Sequence, residues 1–304
     1  ASVLIDARNV RTARVKDAHA GRVQMKARAS DEGLVIDTLD IADLGGANVK
    51  ASGRLTAAGE KVEAVIDAPD MAPLSILFGK LFPSRVTSLM TERARSISPV
   101  HMTVSAERVT SAAQAVRLAF EGTAATTSFN GSGRIGFDDA GLSFDIGAKL
   151  QSPDAASLLR QAGATVMPLP LSGGARIDLQ AKGDHKAGTT VTMAGTLAGV
   201  KGNATFAIAA DTARLTGPFK IETIDAAPLL TSFGVPLPDA SIKIPFTGMA
   251  SLDTPADVIS LNALDVISFG QKIKGALTYK ANVARLEGDL KIDGVNFGAL
   301  ASLM

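Results

Sequence analysis

The sequence predicts a mainly β fold with short helices: an elongated, repetitive antiparallel sheet with about four strands plus one short helix per unit. Three observations carry that expectation. One outline recurs, in "VIDAPDMAPLSILFG" (65–79), "AKLQSPDAASLLRQAG" (148–163), "FKIETIDAAPLLTSFG" (219–234) and "LKIDGVNFGALASLM" (290–304). Aligned on Asp70, Asp154, Asp225 and Asn296, the intervals are 154 − 70 = 84, 225 − 154 = 71 and 296 − 225 = 71 residues. A sustained period of that kind is the mark of repeat architecture. Between the markers, apolar and polar residues alternate with period two, as half-buried strands require. The connections are short, which makes sequence neighbours antiparallel.

The sequence divides into four units, at 1–79, 80–163, 164–234 and 235–304. The first runs "RVQMKARAS", "LVIDTLDIADLGG", "NVKASGRLT", the turn "AAGE" and "KVEAVIDA". The second opens on a longer joint, 80–100, with room for an additional helix; that insertion accounts for the 84-residue interval. In the third, "GARIDLQAKG" sets Ala175, Ile177, Leu179 and Ala181 on one face and Arg176, Asp178, Gln180 and Lys182 on the other. The fourth runs "IPFTGMASLD", "VISLNALDVISFG", "QKIKGALTYK", "ANVA" and "RLEGDLKID". Pro-rich links, "MPLPLSGG" and "VPLPDASI", occupy matching joints.

Each unit closes on a helix whose signals are chemical. Asp70 and Asp225 suit N-caps, and Pro73 and Pro228 fall in the first turn, where a missing N–H does least harm. Gly79, Gly163 and Gly234 stand where C-terminal caps belong. A helix of roughly eight residues is marginal alone, so Leu229, Leu230 and Phe233 are expected to pack on the sheet.

Composition narrows the function. Lys plus Arg (31) nearly cancels Asp plus Glu (30) among 304 residues, which argues against nucleic acid as a partner. There is no cysteine, hence no disulfide, thiolate metal site or cysteine nucleophile. Aromatics make up 4%, with no Trp and only Tyr279 as tyrosine, thin material for stacking on bases or sugars. No run of eighteen apolar residues occurs, so no helical membrane span is expected. The chain opens in apparent mid-strand and closes in apparent mid-helix, and reads as a segment of something longer.

Motifs for chemistry are missing or out of context. His19, His101 and His185 lie far apart, and Asp184 beside His185 falls in a hairpin-like loop. "GSGRIG" (Gly131, Gly133, Gly136) has the dinucleotide spacing, but a turn and another strand come after it where that fingerprint needs a helix. Asp138 and Asp139 are adjacent and splay apart, unlike the converging carboxylates of an acid/base pair. No "GxSxG", P-loop or "HExxH" occurs. The expectation is a protein without enzymatic activity, catalytic residue, cofactor or metal.

What repeats is a one-sided apolar sheet. Its apolar face is expected to carry Val23, Met25, Val49, Ala51, Phe144, Ile146, Ile177, Leu179, Phe206, Ile208, Phe219, Ile221, Leu277, Leu290 and Ile292. Alternation alone leaves two readings open. The face is either a core closed by a second layer, as in a sandwich or solenoid, or a trough for acyl chains.

The strand–helix–Gly endings of the "D-A-x-x-x-P-L-L" type and strands such as "ADLGGANVKASGRL" and "GTLAGVKGNATFAI" resemble the AsmA-like family of bacterial envelope proteins, of the AsmA/TamB type. The likeness extends over nearly the whole chain, in degenerate motifs. It implies a long sheet curved like a taco, with an apolar groove that conducts phospholipid between inner and outer membranes. It also implies a periplasmic location and a parent chain anchored in the inner membrane through a segment outside this one. A structural scaffold assisting outer-membrane assembly is the competing expectation, and it requires a closed, dry core.

Overall fold

A computed structural model describes residues 1–11, 19–57, 59–81, 85–109, 115–138, 141–164, 166, 173–184, 186–212, 214–237, 243–255, 258–283 and 285–293. The protein is mainly β. Seventeen strands belong to one antiparallel sheet that is not closed into a barrel, with few and short helices beside it. Two compact units divide the chain: Ala1–Ala140 with Arg160–Ala164, and Gly141–Leu159 with Thr165–Met304.

The first unit holds β1 (Ser2–Arg11), β2 (His19–Ser30), β3 (Gly33–Leu44), β4 (Ala47–Thr56) and β5 (Gly59–Ala68). Helices α1 (Met71–Leu81) and α2 (Arg85–Ile97) come next, then β6 (Val100–Val109), β7 (Ala115–Ala124) and β8 (Thr127–Asp138). Every strand pairs with its chain neighbour. The joint at 80–100 does contain a helix, α2. Five strands rather than about four precede α1, because β1 joins ahead of "RVQMKARAS".

Helix α1 begins on two acceptors. Ala72 N–H donates to Asp70 Oδ1 at 2.8 Å, and Met71 N–H donates to Ser98 Oγ at 2.9 Å. Ser98 in turn donates to the Ala94 carbonyl at 2.7 Å, so one hydroxyl ties the end of α2 to the start of α1. Met71, Leu74, Leu77 and Ala94 then bury against Ala47 and Ala68 at one end of the strands. Gly79 is not a cap: α1 continues through it to Leu81.

The second unit holds β9 (Gly141–Ser152), α3 (Ala155–Ala162), β10 (Ala175–Asp184), β11 (Gly188–Leu197), β12 (Val200–Ile208) and β13 (Leu215–Thr223). It continues with α4 (Ala227–Ser232), β14 (Phe246–Asp253), β15 (Val258–Ser268), β16 (Gln271–Lys280), a single 3-10 turn (Ala281–Val283) and β17 (Arg285–Asp293). Its strands pair in chain order from β9 to β17.

The helix starts share a device. Asp154 accepts from Ala156 N–H and Ser157 N–H, each at 3.0 Å, satisfying donors that a helix leaves unpaired. Two residues earlier, Ser152 Oγ donates to the Asp154 carbonyl at 2.8 Å. Thr223 repeats this on Asp225, donating to its carbonyl at 3.0 Å and accepting its N–H at 3.1 Å. The N-cap of α4 is Ala226 rather than Asp225, although the Asp225 carboxylate still accepts from Ala227 N–H. Gly163 and Gly234 end α3 and α4 with left-handed φ of 95° and 79°. The expected fourth helix after Asn296, His185, Asp139 and most of both Pro-rich joints lie outside the described residues.

Candidate functional site

Cross-strand register defines the candidate site, because residues directly opposite each other in an antiparallel pair share a face. In the first unit one row crosses all eight strands: Ile5, Met25, Leu39, Ala51, Ala64, Val104, Phe120 and Gly131. The next row on that face reads Ala7, Val23, Ile41, Val49, Ile66, Met102, Gly122 and Phe129. No polar side chain interrupts either row. The rings of Phe120 and Phe129 stand 6.3 Å apart at their centroids, joining the two rows.

The second unit repeats the arrangement. One row crosses its nine strands as Leu150, Ile177, Gly195, Gly202, Ile221, Gly248, Val266, Ile273 and Ile292. A second reads Ala148, Leu179, Met193, Ala204, Phe219 and Ala250. Phe144, Ile146, Phe206, Ile208, Leu277 and Leu290 fall on the same side by the same registers. The opposite side carries Lys149, Asp178, Asn203, Lys220, Asp265, Lys274 and Lys291.

All fifteen sequence-derived positions therefore lie on the apolar face of their own unit, four in the first and eleven in the second. Thirteen are half-buried; Leu290 and Ile292, on the last strand, are exposed. All seventeen strands belong to one sheet, so among the described residues no second sheet covers this face. Among the described residues, helices cover one end only. In the second unit Ala155, Ala156 and Leu158 pack on Leu150, Ala175, Ile177 and Leu197, with Leu229 of α4 beside them.

Register also identifies members the alternation pattern conceals. Leu39 and Ile41 belong to the apolar rows, but β3 slips register against both neighbours, between Lys26 and Ala27 and between Ile36 and Leu39. In β15 a slip between Leu261 and Leu264 accompanies a left-handed Ala263, φ 51°. Each bulge sets two residues opposite one and reverses the apparent face of the residues beyond it.

Small residues in the rows mark close backbone approach. A Cβ added at Gly275 would collide with the Asp289 carbonyl oxygen of the neighbouring strand, and its φ of 148° disfavours any L side chain. "GSGRIG" lies wholly within β8, as backbone of a strand.

The polar side offers little for chemistry. A cavity of about 780 Å³ lies there, lined by Gln180, Lys182, Asp184, Thr190, Arg214 and Thr216. Arg214 is already engaged, donating twice to the Asp253 carboxylate at 2.6 Å. His101, in β6, contacts Asp67 across the β5–β6 pair on the polar face. Among the described residues no three His, Asp or Glu side chains are grouped to hold a metal, and no helix is long and apolar enough to cross a membrane. The half-open apolar face is thus the site that the fold presents most extensively. No protein-family model, curated protein or solved structure matches the chain.

Proposed function

We propose that this chain is a non-enzymatic lipid-binding and lipid-conducting segment whose apolar sheet face receives the acyl chains of phospholipids. One observation carries the reading: an uninterrupted apolar row runs across every strand of each unit, with most of its members half-buried and Gly248 and Val266 buried, and among the described residues helices lie over one end only. Burial of an acyl chain contributes about 0.8 kcal/mol per methylene without any specific polar partner. Rows built only of Ala, Gly, Val, Ile, Leu, Met and Phe suit a ligand recognised by length and apolarity. Nine strands at about 4.8 Å spacing give the second unit a face about 38 Å across, room for more than one acyl chain. The AsmA-like sequence resemblance supplies the setting: the periplasm, between inner and outer membrane, in a parent chain anchored to the inner membrane.

The direct experiment is lipid extraction and native mass spectrometry of protein purified without detergent. Co-purifying phospholipid, displaced by a spin-labelled fatty acid whose signal broadens against the apolar face, is the expected result. A chain that carries no lipid and leaves the spin label in bulk water refutes the reading. In that case the scaffold, with its function at edges and loops, takes its place.

A further inference from the structure

An ion pair stands on the apolar side of the first unit. Along β5 the residues on that side are Ala68, Ile66, Ala64, Val62 and Glu60, and their β6 partners are Val100, Met102, Val104, Ala106 and Arg108. Arg108 Nη1 donates to Glu60 Oε1 at 2.8 Å. The rest of their row is apolar, with Ala29, Leu34 and Leu55 on one flank and Val116 and Ile135 on the other. A row at the same end of the second unit, Phe144, Gly183, Thr189, Ile208 and Leu215, has no charge.

The pair and the helices lie at opposite ends of the strands. Ala68 is buried with Met71, Leu74 and Ala94 of α1 and α2. Glu60 is eight residues from it along β5, about 27 Å of extended strand. The rows through Ile66 and Ala64 are the two apolar rows already described, and the row through Val62 continues them as Val3, Ala27, Ile36, Gly53, Ala106, Leu118 and Gly133. An acyl chain of one bilayer leaflet reaches about 15 Å, half the hydrocarbon core, and fits between helices and pair. Laid over the pair, the same chain would strip water from two ions, which costs more than the few methylenes there gain.

We infer that the Glu60–Arg108 pair marks the headgroup end of the first unit's apolar face. The acyl chain runs along the strands toward α1 and α2, and a zwitterionic headgroup rests on the pair, its phosphate toward Arg108 and its ammonium toward Glu60. Neither charge has to give up its partner. Their single bond occupies one guanidinium donor and one carboxylate oxygen, leaving further donors and acceptor sites on both groups. The side chains are 48% exposed at Arg108 and 40% at Glu60. Because the pair is neutral, a zwitterion gains at both ions, whereas a headgroup of net negative charge gains at Arg108 and loses at Glu60. This assignment rests on the lipid reading proposed above.

The chain has no tryptophan, so single reporters can be placed in it. Leu55→Trp stands beside the pair, and Met102→Trp stands one row from the helix-covered end. Lysophosphatidylethanolamine brominated near its chain end is expected to quench Met102→Trp more than Leu55→Trp, and bromination near the ester is expected to reverse that order. The unmodified chain should bind lysophosphatidylethanolamine about threefold or more tighter than net-anionic lysophosphatidylglycerol. In Glu60→Leu/Arg108→Leu both the headgroup preference and the quenching order should vanish, while binding of both lipids persists. Circular dichroism checks folding, and the two Trp variants, which keep the pair, decide the orientation even if the double variant does not fold. Equal quenching at both positions, or a folded double variant that keeps the headgroup preference, overturns the inference and leaves the lipid reading standing. No quenching together with no binding of either lipid overturns both.

Discussion

Asp225 and Ile244 are 19 residues apart in sequence and are clipped together from both sides. Ile244 N–H donates to Asp225 Oδ1 at 3.1 Å, on the oxygen that also accepts Ala227 N–H at 2.9 Å. In return, Ala226 N–H donates to the Ile244 carbonyl at 2.8 Å. One carboxylate thus starts α4 and fixes the segment that enters β14. Helix α4 has six residues, too few to persist without such anchoring.

Asp225→Ala strands two N–H donors, one of them beside the buried Ile244, and should destabilise the protein by about 1–3 kcal/mol. Asp225→Asn keeps an acceptor oxygen and should recover most of the loss. Asp70→Ala, which removes a bond from Ala72 while Ser98 still serves Met71, should cost less than Asp225→Ala. Urea denaturation of the three variants gives the ranking; equal losses at Asp70 and Asp225 would remove the special role of the Ile244 contact.

Ile221 and Lys220 are adjacent, on opposite faces of β13. Under the proposed function, Ile221→Asp places a charge in the middle of a nine-strand apolar row and should weaken acyl-chain binding about tenfold or more, given that a fully buried side chain of this kind contributes about 1.5–3 kcal/mol. Lys220→Asp should leave binding unchanged. Fluorescent fatty-acid titration of folded variants distinguishes them, and equal effects at both positions would contradict a one-sided site.

Legibility in the sequence tracked the regularity of the backbone. In β4 and β10, alternation is unbroken, so Val49, Ala51, Ile177 and Leu179 could be placed on one face from sequence alone. In β3 and β15, bulges shift the phase within a strand, and Leu39, Ile41 and Val266 become visible only through their partners. The helix-start aspartates were legible because capping is local. The hydroxyls of Ser152 and Thr223 have only a faint local signal, "SPD" and "TID", which places each two residues ahead of its Asp. The Ile244 contact has no local signal, since it depends on where the joint after α4 returns.

Gly79 and Gly275 should respond oppositely to the same substitution. Gly79 sits inside α1 with open space where a methyl group would project, so Gly79→Ala should stabilise by up to about 1 kcal/mol. Gly275→Ala forces a Cβ onto the Asp289 carbonyl at a strained φ and should destabilise by at least about 2 kcal/mol. Thermal melts of both variants provide the comparison. A neutral Gly275→Ala would mean that β16 and β17 separate at little cost there.

Acid should weaken the fold through its Arg–Asp pairs on the polar side. Hydrogen bonds from Arg214 hold the Asp253 carboxyl below its ordinary value, and Arg22 and Arg28 do the same for Asp6 and Asp37. A carboxyl whose pKa is depressed in the folded state contributes stability that is fully present above the unfolded value, about 3.9. That contribution is lost as pH falls from there through the lower folded value. The pairs are solvent-accessible, so each contribution is small and screened by salt. Urea midpoints should therefore decline below about pH 4, and the decline should be shallower in Asp253→Asn, which has no proton to take up. Added salt should flatten the wild-type curve toward that of the variant. An Asp253→Asn protein whose acid limb superimposes on the wild type at low salt would show that the Arg214–Asp253 pair is not coupled to folding.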